Sequence, residues 1–220
     1  MVIEGSLPVS PEVFGALLFA LSAVIAYFCG CFNGAVIVSK YILRDDVRTH
    51  GSGNAGLTNF YRTFGGPLTL AVILTDVLKM IAAVEIGVLL VGNMPPVLLM
   101  KYWAGTFCLL GHMFPCMFRF KGGKGILSGG TLALLLDWRI ALVVWGGFLL
   151  LTALTRYVSL GSLWAGASFP FISWYVYRDT RVLLPLAAAC GILVVWGHRA
   201  NIVRLLEGTE NKFSLHKKRE

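Results

Sequence analysis

The run VFGALLFALSAVIAYFCGCFNGAVIVS, residues 13–39, carries no charged side chain. It exceeds the roughly 20 apolar residues that a helix needs to cross a bilayer core. Three further segments, 67–92, 97–118 and 181–198, read the same way. Between them, Asp137-Trp138-Arg139 and Thr155-Arg156-Tyr157 divide the apolar region 126–177 into 126–136, 139–155 and 158–177. The first piece is short, and reads either as a half-helix or as a helix continuing beyond Asp137. Counted as a span, it brings the total to seven. The chain is 57% hydrophobic and 14% charged, against about half and a quarter in soluble domains. Its mean hydropathy is +0.75. The runs lack the period-2 alternation of a membrane barrel, so residues 1–220 are expected to form one all-α integral membrane domain.

Charge sets the expected orientation. Glu4 and Glu12 precede the first span, and no Lys or Arg occurs before Lys40. A signal peptide would begin with positive charge, so 13–39 reads as a retained helix with the N-terminus outside. The inner segments are then 40–66, 119–125, 155–157 and 199–220, which hold 14 of the 19 Lys and Arg. Arg139, Arg178 and Arg181 lie outside, while Lys79 and Lys101 fall within apolar segments. This asymmetry satisfies the positive-inside rule with a cytoplasmic C-terminus. It accounts for most of the formal charge of +8, and without a soluble basic face nucleic acid is not an expected partner. Asp76 and Lys79 share a face of the second helix and are expected to form a structural ion pair. Five cysteines, at positions 29, 31, 108, 116 and 190, lie in or beside apolar segments and read as small buried residues.

Three polar islands fall on the inner side. The first is RTHGSGNAGLTNFYR, Arg48–Arg62, in which Ser52, Asn54, Asn59 and Arg62 offer a hydroxyl, two amides and a guanidinium among glycines. Arginine forks onto phosphate bidentately. The second is GHMFPCMFRFKGGKG, Gly111–Gly125. Its glycines Gly122 and Gly123 let backbone N–H groups approach a ligand, and Lys121 and Lys124 add charge. It is no Walker loop: Phe118 stands where that pattern needs glycine, and Gly125 follows Lys124. Ile126 would open a helix whose N-terminus attracts anions. The third, HRANIVRLLEGTENKF, His198–Phe213, sets His198, Asn201 and Arg204 on one helical face.

With these islands quoted, the chain resembles the PlsY family of bacterial membrane glycerol-3-phosphate acyltransferases. Gly51–Asn59 is similar to a family motif GSGNxGATN, with Leu57 in place of alanine. Gly111–Gly125 resembles GHxFPxxxxFKGGKG, and His198–Lys212 resembles HRxNIxRLxxGTExK. The chain departs from the family pattern at Met80 and at Ile126-Leu127-Ser128. The resemblance implies seven helices, a cytoplasmic site, no metal or cofactor, and residence in the bacterial cytoplasmic (inner) membrane as a monomer. It also implies transfer of a fatty acyl group from acyl phosphate to the 1-hydroxyl of glycerol 3-phosphate, with an acyl-phosphate-producing enzyme as a partner. Catalytic roles fall to Ser52, Arg62, Lys124, His198 and Asn201. Substrate contacts fall to Asn54, Asn59, His112, Lys121, Gly122, Gly123, Ser159 and Arg204, and Glu210 braces the fold through a basic partner.

Acyltransferases with a His-x-x-x-x-Asp motif use the aspartate to orient a histidine base. Here Ala55, Met117 and Val203 stand five residues after His50, His112 and His198. Acyl phosphate is already activated, so positioning and electrostatics are expected to carry the reaction, with the substrate's own phosphate accepting the hydroxyl proton. Two other readings stay open on the residues alone: a transporter of a phosphorylated solute and a catalytically silent relative. Against transport, the basic islands lie on one face, without a matching polar path across and without an inverted repeat.

Overall fold

The computed structural model describes residues 10–92 and 96–213. Glu4, and His216 with residues 217–219 of the charge tally, lie outside the described residues. Among those described, regular structure is entirely helical: α1 Pro11–Cys31, α2 Gly34–Ile37, α3 Leu57–Thr63, α4 Leu68–Val91, α5 Val97–Met113, α6 Ile126–Leu136, α7 Trp138–Thr155, α8 Val158–Val176, α9 Leu184–Gly197 and α10 Arg199–Leu206. Three stretches are long and apolar enough to cross a membrane: Pro11–Cys31, Val97–Phe118 and Trp138–Thr155. A fourth is the pair Arg181–Gly197 and Arg199–Leu206, bent by 53°.

The expectation of one helix over 13–39 is corrected. The helix stops at Cys31, Phe32 leaves helical geometry, and Asn33 adopts an extended conformation. Asn33 then caps α2, its side-chain oxygen accepting from Val36 N–H at 3.1 Å. Its amide nitrogen donates to the Ala55 carbonyl at 3.0 Å. A break at this depth leaves a helix-end carbonyl that lipid cannot satisfy. Lys79 of α4 satisfies it, donating to Phe32 O at 3.1 Å.

The bundle is apolar outside and polar within. Leu17, Leu21, Val24 and Phe28 expose one stripe of α1, and Leu142, Leu149 and Leu154 one of α7. Ser22, Asn33, Asp76, Lys79, Thr106 and His112 are buried. That inversion suits a lipid solvent, which rewards apolar surface and makes internal pairing of polar groups obligatory. α4 carries three ionisable residues, Asp76, Lys79 and Glu85, of which Asp76 and Lys79 face inward.

α1 packs along α5 and α4, α7 along α8, and α8 along α9, while α6 is enclosed by α4, α5 and α7. The α1–α5 crossing is backbone on backbone. A Cβ on Gly30 would overlap the Cys108 carbonyl, and one on Gly111 the Tyr27 carbonyl. Small residues allow this approach between membrane helices. Tyr27 Oη donates to Phe114 O at 2.7 Å and Trp103 Nε1 to Phe19 O at 2.9 Å, fixing the register.

α6 has eleven residues, about 16 Å at ~1.5 Å per residue, roughly half a hydrocarbon core. It ends at Leu136, because Asp137 is extended and caps α7 through Arg139 N–H at 2.8 Å. The half-helix reading of 126–136, rather than continuation beyond Asp137, describes this segment. Its last carbonyls accept from Lys101 Nζ at 3.1 Å (Leu135) and Tyr177 Oη at 3.0 Å (Leu136). Trp145 of α7 lies on Gly130 of α6, its Nε1 donating to Gly130 O at 3.1 Å. From that shared level α7 rises about 15 Å to Thr155, but α6 rises only about 7 Å to Gly125. The start of α6 is therefore recessed below the end of α7.

Not all five cysteines are buried as expected. Cys31, Cys108 and Cys190 are, while Cys29 and Cys116 are partly exposed.

The Gly111 contact generates a test. Gly111→Val should lower stability in detergent by at least about 2 kcal/mol, the cost of overpacking against atoms that cannot rotate away. Thermal unfolding of the purified protein measures it, and an unshifted melting temperature would refute the α1–α5 crossing.

Candidate active site

The three islands meet at one cavity of about 210 Å³. The first island folds around Asn59. Its Nδ2 donates to the carbonyls of Val47, His50 and Asn54 at 3.0–3.1 Å, and its Oδ1 accepts from Ser52 N–H at 3.0 Å. Gly51, at φ +55°, leaves room for that amide. Asn59 therefore braces the loop with its side chain while also lining the cavity. The loop presents Ser52 and Asn54 to the cavity, and α3 presents Thr58, Asn59 and Arg62.

The second island contributes less than its motif suggests. Gly122 N–H donates to Met113 O at 3.1 Å and Gly123 N–H to His112 O at 3.2 Å. Neither glycine lines the cavity, and neither does exposed Lys121. A Cβ on Gly122 would overlap the His112 carbonyl and one on Gly123 the His112 ring. These glycines seat the loop on the end of α5, which corrects their expected role as a phosphate cradle. Lys124, Gly125 and the first turn of α6 line the cavity instead. That turn aims the positive end of the helix dipole, with its unpaired N–H groups, into the space.

The third island turns at His198, between α9 and α10. His198 Nδ1 donates to Val194 O at 2.8 Å, so Nε2 carries the free lone pair of the neutral ring. Asn201 is the hub: its Oδ1 accepts from Lys124 Nζ and its Nδ2 donates to Glu210 Oε1 at 2.8 Å. Glu210 Oε2 pairs with Arg204 Nε, also at 2.8 Å. Arg62 Nη2 donates to Asn211 O at 3.2 Å. Arg48 ties the first two islands together, donating to Phe118 O at 2.8 Å while paired with Asp46.

Arg62, Lys124 and Arg204 thus share a small space with one carboxylate, Glu210, in their network. Burial, together with the neighbouring Arg204 and Arg62, pushes the Lys124 ammonium down to about 8. Burial also lowers Arg62. Burial alone would raise Glu210, but hydrogen bonds from Asn201 and Arg204 outweigh it and hold the carboxyl below its ordinary value. Such a cluster is short of negative charge and suited to an anion. Ser159 is buried in the wall, where its hydroxyl also helps to lower Glu210.

Beneath lies a buried triad. Lys79 Nζ reaches Asp76 Oδ1 at 2.6 Å, Phe32 O at 3.1 Å and His112 Nδ1 at 2.7 Å. Three donors meet three acceptors, so His112 is neutral with its proton on Nε2. Asp76 and His112 reach the cavity wall, whereas Lys79 does not. Asp76 lies closer to the site than its place in the helix suggested.

Trp145, Phe148 and Val158 also line the cavity, and sequence reasoning missed them. Large apolar residues in apolar helices carry no signal; only the i, i+3 spacing of Trp145 and Phe148 marks a shared face.

A family model described as glycerol-3-phosphate acyltransferase matches residues 20–208. Curated glycerol-3-phosphate acyltransferases are similar over nearly their full length. That of Thermoanaerobacter pseudethanolicus is 36% identical over 87% of this chain and 94% of its own. That of Bacillus subtilis is 36% identical over 89% and 98%, and that of Clostridioides difficile 37% over 94% and 99%. Among solved structures, PlsY (YgiH), an integral membrane glycerol 3-phosphate acyltransferase, superposes in its glycerol 3-phosphate form with a TM-score of 0.79. It is 31% identical, covering 89% of this chain and 96% of that one. Its lysophosphatidic acid form gives 0.76 at 30% identity, covering 90% and 97%.

The triad is testable on stability alone. Among the described residues Asp76 is the only carboxylate paired with Lys79, and Asp76→Asn is expected to cost about 3–5 kcal/mol, as for other broken buried pairs. A wild-type melting temperature for this variant would refute the buried ion pair.

Proposed function

Because the chain belongs to the PlsY family of glycerol-3-phosphate acyltransferases, an enzyme family, we propose that its cavity transfers a fatty acyl group from acyl phosphate to the 1-hydroxyl of glycerol 3-phosphate. The products are 1-acylglycerol 3-phosphate and inorganic phosphate. The observation that carries this reading is the convergence of Arg62, Lys124 and Arg204 on one cavity beside an apolar flank. Two anionic phosphates and an acyl chain are the chemistry that such a space fits.

In this reading Lys124, Arg62 and the first N–H groups of α6 hold the two phosphates. Arg204, oriented by Glu210, adds charge, and Asn201 aims Lys124. Ser52 and Asn54 approach from the mouth, and Ser159 Oγ takes a substrate oxygen. The 1-hydroxyl oxygen bonds to the acyl carbonyl carbon, the carbon–oxygen bond to phosphate breaks, and the hydroxyl proton passes to a phosphate oxygen. Holding the reactants in line supplies several kcal/mol of barrier lowering, and the cations stabilise charge on the departing phosphate. No side-chain base is required, and His198 serves position.

The same reading includes seven crossings, by α1, α4, α5, α6, α7, α8 and α9, with the N-terminus outside and the cavity facing the cytoplasm of a bacterial inner membrane. The recessed start of α6 supports it, since the loop descends part of the way and the short helix completes the crossing. Transport of a phosphorylated solute is disfavoured, because the three basic islands gather at one cavity.

Lysophosphatidate formation from acyl phosphate and glycerol 3-phosphate by the purified protein tests the reaction; solute flux into proteoliposomes without acylation would support transport instead. Lys124→Ala and Arg62→Ala should each reduce turnover at least tenfold, roughly the effect of losing about 1.4 kcal/mol of transition-state stabilisation, while His198→Gln retains most of it. Wild-type rates in both cation variants would overturn the phosphate site, and a dead His198→Gln would reinstate a histidine base.

The pH profile has a definite sign. kcat/KM for glycerol 3-phosphate reports the free enzyme, and it should fall as pH rises through about 8, where Lys124 loses its proton. Lys124→Arg, charged throughout, should abolish that limb in whatever activity it retains.

A further inference from the structure

The cavity wall combines polar and apolar stretches. Arg62, Lys124, Asn201 and Arg204 form one part of it, Asp76 and His112 its most buried polar part, and Ile126, Trp145 and Phe148 an apolar flank. Trp145 is about 15 Å below the end of α7, counted along the helix. Its indole is fixed from three sides. Nε1 donates to Gly130 O at 3.1 Å, the ring lies where a Cβ of Gly130 would fall, and Phe148 meets it edge-on with centroids 5.4 Å apart. A ring held this way does not swing aside at low cost, because the indole N–H would lose its partner in an apolar setting.

We infer that Trp145 is the acyl-chain gauge of this enzyme: its pinned indole is the floor against which the chain ends, and so sets the preferred chain length of the donor. The inference rests on the acyl-transfer reading above. For a chain anchored by its phosphate beside Lys124, Ile126, Trp145 and Phe148 offer an apolar flank, and Trp145, level with Gly130 of α6, is set below Lys124. An unpinned side chain would yield to longer chains, whereas a pinned one rejects them.

The experiment compares kcat/KM for a medium-chain and a long-chain saturated acyl phosphate in detergent-solubilised enzyme. Trp145→Ala should shift the long-to-medium ratio by at least about fivefold towards the long chain, the scale on which one or two methylenes are discriminated in apolar pockets, with KM for glycerol 3-phosphate unchanged. Trp145→Phe keeps an aromatic ring but loses the hydrogen bond, and should shift the ratio in the same direction by less. It also serves if the alanine variant does not fold. An unchanged ratio in a folded, active variant overturns the gauge and points to a chain that leaves sideways into lipid. A wild-type protein that makes no lysophosphatidate from either donor overturns the acyl-transfer reading itself, so the two failures are distinct.

Discussion

The arrangement turns on one ammonium group placed where water cannot reach it. Lys79 is 6% exposed and Asp76 2%, and a charge at that depth is tolerated only if each of its protons finds an acceptor. The three acceptors come from three elements: Asp76 on its own helix, Phe32 at the break after α1, and His112 on α5. α6 joins through Ser128, whose hydroxyl donates to the Asp76 carbonyl at 3.3 Å. One cation therefore ties three segments together, Ser128 adds a fourth through the Asp76 backbone, and Asp76 and His112 carry that core to the cavity wall.

This explains why the first apolar run is not one helix. A continuous helix would need no capping at Phe32 and would leave Lys79 one acceptor short. It would also move Asn33 away from the Ala55 carbonyl, which anchors the first island. The break converts a simple span into a support for the Gly51–Asn59 loop, and the paired charge is what makes the break tolerable in lipid.

Much of the fold was legible because membrane helices announce themselves by length and by the charges between them. Asp137 and Arg156 divide the chain where α6, α7 and α8 meet, and all three polar islands reach one cavity. What escaped has physical reasons. The break at Phe32 lies in a run with no charge to mark it. The glycines of the second island resemble a phosphate cradle, yet their N–H groups face carbonyls of α5, which spacing does not reveal. Asn59 looks like a ligand amide in sequence, and its bracing of the loop through four hydrogen bonds shows only in space. Trp145 and Phe148 are indistinguishable from lipid-facing residues until α6 is laid against α7.

α6 is held at its far end by side chains from elsewhere, Lys101 of α5 and Tyr177 just after α8. A segment of eleven residues is too short to be recognised as a span while the chain is being inserted. Lys101 belongs to the preceding α5, but the Leu136 carbonyl gains its partner only when Tyr177, 41 residues later, is in place. Closure of that end of α6 therefore waits on chain made after it, and a chain truncated before Tyr177 would leave the Leu136 carbonyl without that donor.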